Sequence, residues 1–255
     1  MFEKGKREQR YQEEDAAFNK MLLWLAGAVA AELLIMLIRQ LYVNFVAGET
    51  VVIVINTFFR VFSILGAVLT AAGAVWAVLN QRKGKSVVMP CACAAAAAGV
   101  WVLSVLSYYL YDFGMKIMLL LPAMAAVLIV VYFLYQRVFF FNALLTAGGL
   151  LVLWLYRQYF INHPTVIRLF FAAEFVLLAA GLVLSLLLRR GDGKLGGLRV
   201  LPPDAGYGMT WITCAVTAAA LALTLALGTA AGFYLLFGLV AWVFVQAVFY
   251  TVQLM

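Results

Sequence analysis

Glu32, Arg60 and Glu174 each interrupt a long stretch of otherwise apolar sequence. A charge at the centre of a bilayer costs at least about 2.5 kcal/mol, so intramembrane charges face protein or water and mark relays or pathways. On helices rising 1.5 Å per residue, Glu32 lies about 17 Å up the first apolar segment. Arg60 lies about 15 Å down the second, and Glu174 about 15 Å from the outer end of the sixth. The three therefore share one depth, near the midplane. Consecutive antiparallel spans joined by a short connection are usually neighbours, so the sequence predicts a Glu32–Arg60 ion pair. One carboxylate is then left without a cation, and an acid held in low dielectric is a candidate proton or cation site. The plainer reading is structural, with Arg60 clamping both acids and tying three helices together.

Helical spacing extends the polar character along particular faces. Asn56, Arg60, Ser63 and Thr70 form a stripe on the second segment, and Glu32 shares a face with Arg39 on the first. Glu174, Gly181 and Ser185 align on the sixth, Asn142, Thr146, Gly149 and Tyr156 on the fifth, and Gln246, Tyr250 and Gln253 on the last. Interhelical hydrogen bonds are sufficient to explain the last two sets. A second charged group, Arg39, Asp112, Lys116, Arg157 and Arg168, collects at the outer ends of the segments with several tyrosines and His163. Interface anchoring is the plain reading of these residues, and a mouth attracting an anionic ligand or headgroup is the functional one.

Other chemistries lack their residues. Cys91, Cys93 and Cys214 form no CxxC pair and suggest neither a disulfide framework nor a zinc site. His163 is the sole histidine, too few for a bis-histidine haem. No nucleophile elbow, HExxH motif or Walker-type loop is present, so the reading leans away from an enzyme and expects no metal and no cofactor.

The elements that must position these residues follow from composition. The chain of 255 residues is 67% hydrophobic and 11% charged, with a mean hydropathy of +1.04, whereas a soluble domain is roughly half apolar and a quarter charged. Crossing a 30 Å hydrocarbon layer takes about 20 apolar residues in a helix. The sequence supplies such runs at approximately 21–43, 50–79, 87–111, 115–136, 138–160, 164–188, 209–228 and 230–253. The expected fold is all-α, a polytopic membrane bundle of about eight transmembrane helices with both termini cytoplasmic. Small residues, including Gly66 with Gly73, Ala92 to Gly99 and Gly148-Gly149, should let helices approach closely. Pro122, inside the fourth span, should kink or loosen it.

Thirteen basic residues fall in alternate connections and the amino-terminal segment, against four near the other surface, which puts the amino terminus inside. The net charge of +7 thus reads as topology and lipid contact, not nucleic-acid binding. Residues 1–20 form a charged cytoplasmic segment, read as preceding an uncleaved span in preference to a signal peptide. Residues 21–188 form a six-span body. A link at 189–208, rich in glycine and carrying Pro202-Pro203, has a composition that breaks both helix and strand, and 209–255 forms a terminal helix pair.

Two functions are consistent with these features. The first is a small-solute or ion transporter, or channel-like protein, of the cytoplasmic membrane, with Glu32, Arg60 and Glu174 lining a midplane site supported by Asn56, Ser63 and Thr70. The second is a non-catalytic membrane subunit or scaffold, its partners being lipid, a second copy or another membrane protein.

Overall fold

A computed structural model describes residues 2–44, 46, 48–83, 88–190, 194–195, 198–199 and 207–254. Lys85 and much of the 189–208 link lie outside the described residues. Among those described, eight helices follow one another: α1 (Phe2–Tyr42), α2 (Glu49–Arg82), α3 (Val88–Leu110), α4 (Asp112–Leu134), α5 (Arg137–Tyr159), α6 (Pro164–Arg190), α7 (Tyr207–Leu227) and α8 (Thr229–Leu254). All eight contain a stretch long and apolar enough to cross a membrane.

The boundaries depart from expectation at three places. The charged leader continues the first span as a single 41-residue helix, because its Glu, Lys, Arg, Gln and Ala residues are good helix formers and Gly5 is its only breaker. Helices α7 and α8 are separated by Gly228 alone, at φ +85. That left-handed residue terminates α7 with its N–H donating to the Thr224 carbonyl, a conformation glycine adopts without a Cβ penalty. The link, expected to break both helix and strand, instead holds a small antiparallel ladder, β1 (Lys194–Leu195) on β2 (Leu198–Arg199), with Lys194 opposite Arg199.

The chain divides into two compact units, one of residues 22–126 and one of residues 1–21 with 127–255. The boundaries fall within α1 and within α4, the latter four residues beyond Pro122, which α4 carries in its interior.

In the 22–126 unit, α2 and α3 pack along glycines. A Cβ at Gly66 would lie 2.8 Å from Trp101 Cβ and 2.9 Å from its Cα, and one at Gly73 would lie 2.9 Å from Ala94 Cβ. The obstacles include backbone, so neither helix can yield cheaply. Gly66→Val should therefore cost about 2 kcal/mol or more through overpacking, read as a lower thermal unfolding midpoint in detergent.

The end of α1 is tied down by tyrosines. Tyr42 is fully buried against Phe59 and Met115, and its hydroxyl donates to Asn56 Oδ1 at 3.0 Å. Tyr111, the single residue between α3 and α4, takes a left-handed φ of 46. Its hydroxyl donates to the Tyr42 carbonyl and its ring lies 4.4 Å from the Tyr42 ring. Burial raises the Tyr111 phenol above its ordinary value of 10.0, so this donor keeps its proton well past neutral pH.

In the other unit, Val138, Phe139, Leu188, Tyr207 and Tyr250 form a core at one end of α5 to α8. The register follows from close contacts. Gly148 and Leu145 of α5 stand opposite Glu174 and Gly181 of α6, so α5 and α6 run antiparallel. Gly149 meets both Thr217 of α7 and Leu239 of α8.

Candidate functional site

Alternation of small and polar residues at helical spacing gives the α5–α8 unit an interior unlike an apolar core. Helix α6 buries Ile167, Phe171, Glu174, Leu178, Gly181, Ser185 and Leu188, a stripe recurring every three or four residues. Opposite it, α5 buries Asn142, Thr146 and Gly149. Helix α7 contributes Thr210, Thr213, Thr217 and Thr224, and α8 contributes Gln246 and Tyr250, all buried. The faces assigned to α5 and α6 from spacing are thus the inward faces, whereas Gln253 of the last set is exposed. The α7 threonines escaped the sequence reading. Their intervals of three, four and seven residues carried the signal, but threonine in an apolar helix normally bonds back to its own backbone and draws no attention.

Several of these polar groups are satisfied. Thr146, Thr213 and Thr224 donate to the carbonyls of Asn142, Met209 and Ala220, four residues earlier. Trp211 Nε1 donates to Ser185 Oγ at 2.9 Å, and Ser185 in turn donates to the Leu182 carbonyl. Asn142 Nδ2 donates to the Tyr250 hydroxyl at 3.0 Å, joining α5 to α8. Tyr250→Phe removes that acceptor and strands a buried amide N–H, so it should cost about 1 kcal/mol, measurable as a lowered unfolding midpoint.

Others have no partner. Glu174 Oε1, Thr217 Oγ1, Asn142 Oδ1 and both polar atoms of Gln246 are buried without a hydrogen bond. Glu174 is 5% exposed, and the ion pairs among the described residues do not include it. Its carboxyl rests on Gly148, where an added Cβ would collide with Oε2 and lie 2.8 Å from Oε1. Cys214 of α7 is within electrostatic reach of the same carboxyl. Gly149, one residue on, admits Thr217, whose Cγ2 would lie 2.5 Å from a Cβ there. The Gly148-Gly149 pair therefore seats a carboxyl from α6 and the methyl group of a threonine from α7 against the middle of α5. A buried carboxyl oxygen without a partner can hold a proton or a small cation, since it lacks the hydrogen bond that buried polar groups ordinarily make.

In the 22–126 unit the expected Glu32–Arg60 ion pair does not form. Glu32 is half-buried, with Oε2 buried and without a partner, whereas Arg60 is exposed. Helices α1 and α2 meet through Tyr42 with Asn56 and Phe59, and Arg60, one residue past Phe59, is turned by about 100° from it. The supporting stripe acts locally. Ser63 donates to the Arg60 carbonyl and Thr70 to the Gly66 carbonyl, while Asn56 accepts from Tyr42.

Of the residues expected at an outer mouth, three come together. Lys116 Nζ lies 2.6 Å from Asp112 Oδ2, and Arg39 Nη2 lies 3.6 Å from Asp112 Oδ1. In the other unit Arg157 and Arg168 are exposed, and the Arg157 guanidinium lies 4.3 Å above the Phe233 ring, a cation–π contact. No family model, curated protein or solved structure matches the chain.

Proposed function

We propose that this chain is a small transporter or channel-like protein of the cytoplasmic membrane that takes a proton or small cation at Glu174. One observation carries the reading: a carboxyl buried among α5, α6 and α7, seated on a glycine, with an oxygen lacking a hydrogen bond and no ion pair among the described residues. Structural carboxylates in a bilayer interior are ordinarily matched by a cation or by donors, because an unmatched one lowers stability without return. A group that must release its ligand gains from staying unmatched. Thr217, Asn142 and Gln246 supply further oxygens along the same interior, and hydroxyl and amide oxygens suit a proton relay or a hard cation. The distribution of basic residues supports an amino terminus on the cytoplasmic side. Glu32 and Arg60 are not needed for this reading.

The experiment is flux into proteoliposomes containing the full chain, with pH-sensitive or cation-sensitive dyes inside. Flux that depends on Glu174 supports the proposal, and flux indifferent to it, or none under any imposed gradient, overturns it. A second reading, a non-catalytic membrane subunit, is favoured by the side chains of α1. Leu23, Trp24, Val29, Leu33 and Leu37 are all more than half exposed, a face that a partner helix would cover as well as lipid. Under that reading Glu174→Gln alters assembly or stability and leaves no separable flux defect.

A further inference from the structure

We propose that the 22–126 unit holds one phospholipid, with an acyl chain in a slot among α1, α2, α3 and α4 and its phosphate on Arg39 and Lys116. The slot has a volume of about 290 Å³ and is walled by Ile38, Phe58, Phe59, Phe62, Val100 and Met118, with Ser104 its only hydroxyl. Such a lining offers nothing to a polar solute and matches a hydrocarbon chain. The slot also opens sideways, for Phe58 and Phe62, stacked at 4.7 Å, are exposed on its edge. In a membrane-spanning unit, that edge meets acyl chains and not water.

Position along the helices gives the occupant its polarity. Ile38 directly precedes Arg39, and Met118 lies two residues beyond Lys116, so the slot begins immediately below the Arg39–Asp112–Lys116 group. On α2 it extends over nine residues, Val54 to Phe62, a rise of about 12 Å, within the roughly 15 Å depth of one leaflet. Within this group Arg39 is the residue held loosely. Asp112 sits tightly on Lys116, but its 3.6 Å separation from Arg39 is too long for a hydrogen bond. The Arg39 side chain stays 34% exposed. A guanidinium presents five donors in a planar fork that suits phosphate, so Arg39 is left able to take a headgroup at the mouth of a slot sized for the chain below it. Every glycerophospholipid supplies both parts.

The test reconstitutes the full chain into nanodiscs of dioleoylphosphatidylglycerol and dioleoylphosphatidylethanolamine, extracts it into mild detergent and weighs it by native mass spectrometry. One phospholipid is expected to remain bound. Arg39→Gln with Lys116→Gln should lower its retention by at least roughly tenfold, since two charge-assisted phosphate contacts are lost. Ser104→Phe, which fills the slot, should remove it. Where Ser104→Phe does not fold, Val100→Leu narrows the slot by one carbon and must also lower retention. Equal retention in every folded variant overturns the proposal, as does retention that ignores Arg39 and Lys116, or a dimer that buries the slot and carries no lipid.

Discussion

Glu174→Gln in proteoliposomes should reduce proton or cation flux by at least roughly tenfold, because the neutral amide keeps the shape of the side chain and removes the charge that exchanges. Its thermal unfolding midpoint should stay near that of the wild-type chain. The reason lies in the unmatched state of the carboxyl. Removing one member of a buried ion pair leaves the other stranded and costs about 3–5 kcal/mol, but Glu174 has no ionic partner among the described residues to strand. The amide fits the same space against Gly148, so the change in stability should remain within about 1 kcal/mol. Loss of flux together with a large loss of stability would instead mark Glu174 as part of the scaffold.

The adjacent glycines of α5 should respond oppositely to the same small change. Gly148→Ala places a methyl group where the Glu174 carboxyl now sits. That carboxyl is the end of a flexible side chain and can swing away, so stability should change by no more than about 1 kcal/mol, offset in part by the better helix propensity of alanine. The displaced acid should nevertheless lose most of its flux. Gly149→Ala meets Thr217 Cγ2 at 2.5 Å and Leu239 Cδ1 at 3.5 Å. Thr217 is β-branched and stiff about χ1, so the helices themselves must separate, at a cost of about 1–3 kcal/mol. The expected pattern is a stable, inactive Gly148→Ala and an unstable Gly149→Ala, read by dye flux and thermal unfolding on the same preparations. Equal behaviour at the two positions would remove the carboxyl cradle from the account.

The helices were legible in the sequence because the bilayer imposes a length and a composition that few other folds share. Glu174 was legible for the same reason, as a charge deep in an apolar run, and so were the inward faces of α5 and α6, since period alone places Asn142 with Thr146 and Glu174 with Ser185. What period does not give is azimuth relative to a neighbour. Arg60 lies at a suitable depth for Glu32, but the contact between α1 and α2 runs through Tyr42 and Phe59, and depth without facing makes no ion pair. Ser63 and Thr70 bond within their own helix, because a hydroxyl in a helix has an acceptor at hand in its own backbone. The role of Gly148 was invisible for a different one. A glycine pair in a span reads as packing, and only the position of the α6 side chain distinguishes a glycine that admits a helix from one that admits a carboxyl.

The most direct measurement of the central claim is chemical. A hydrophobic carbodiimide added to the reconstituted chain attacks carboxyls buried in apolar surroundings, and peptide mass mapping locates the adduct. Modification is expected at Glu174, with flux falling in proportion to the fraction modified and with protection by the ion that is carried. Glu174 left unmodified while flux is inhibited, or fully modified while flux continues, would contradict the claim.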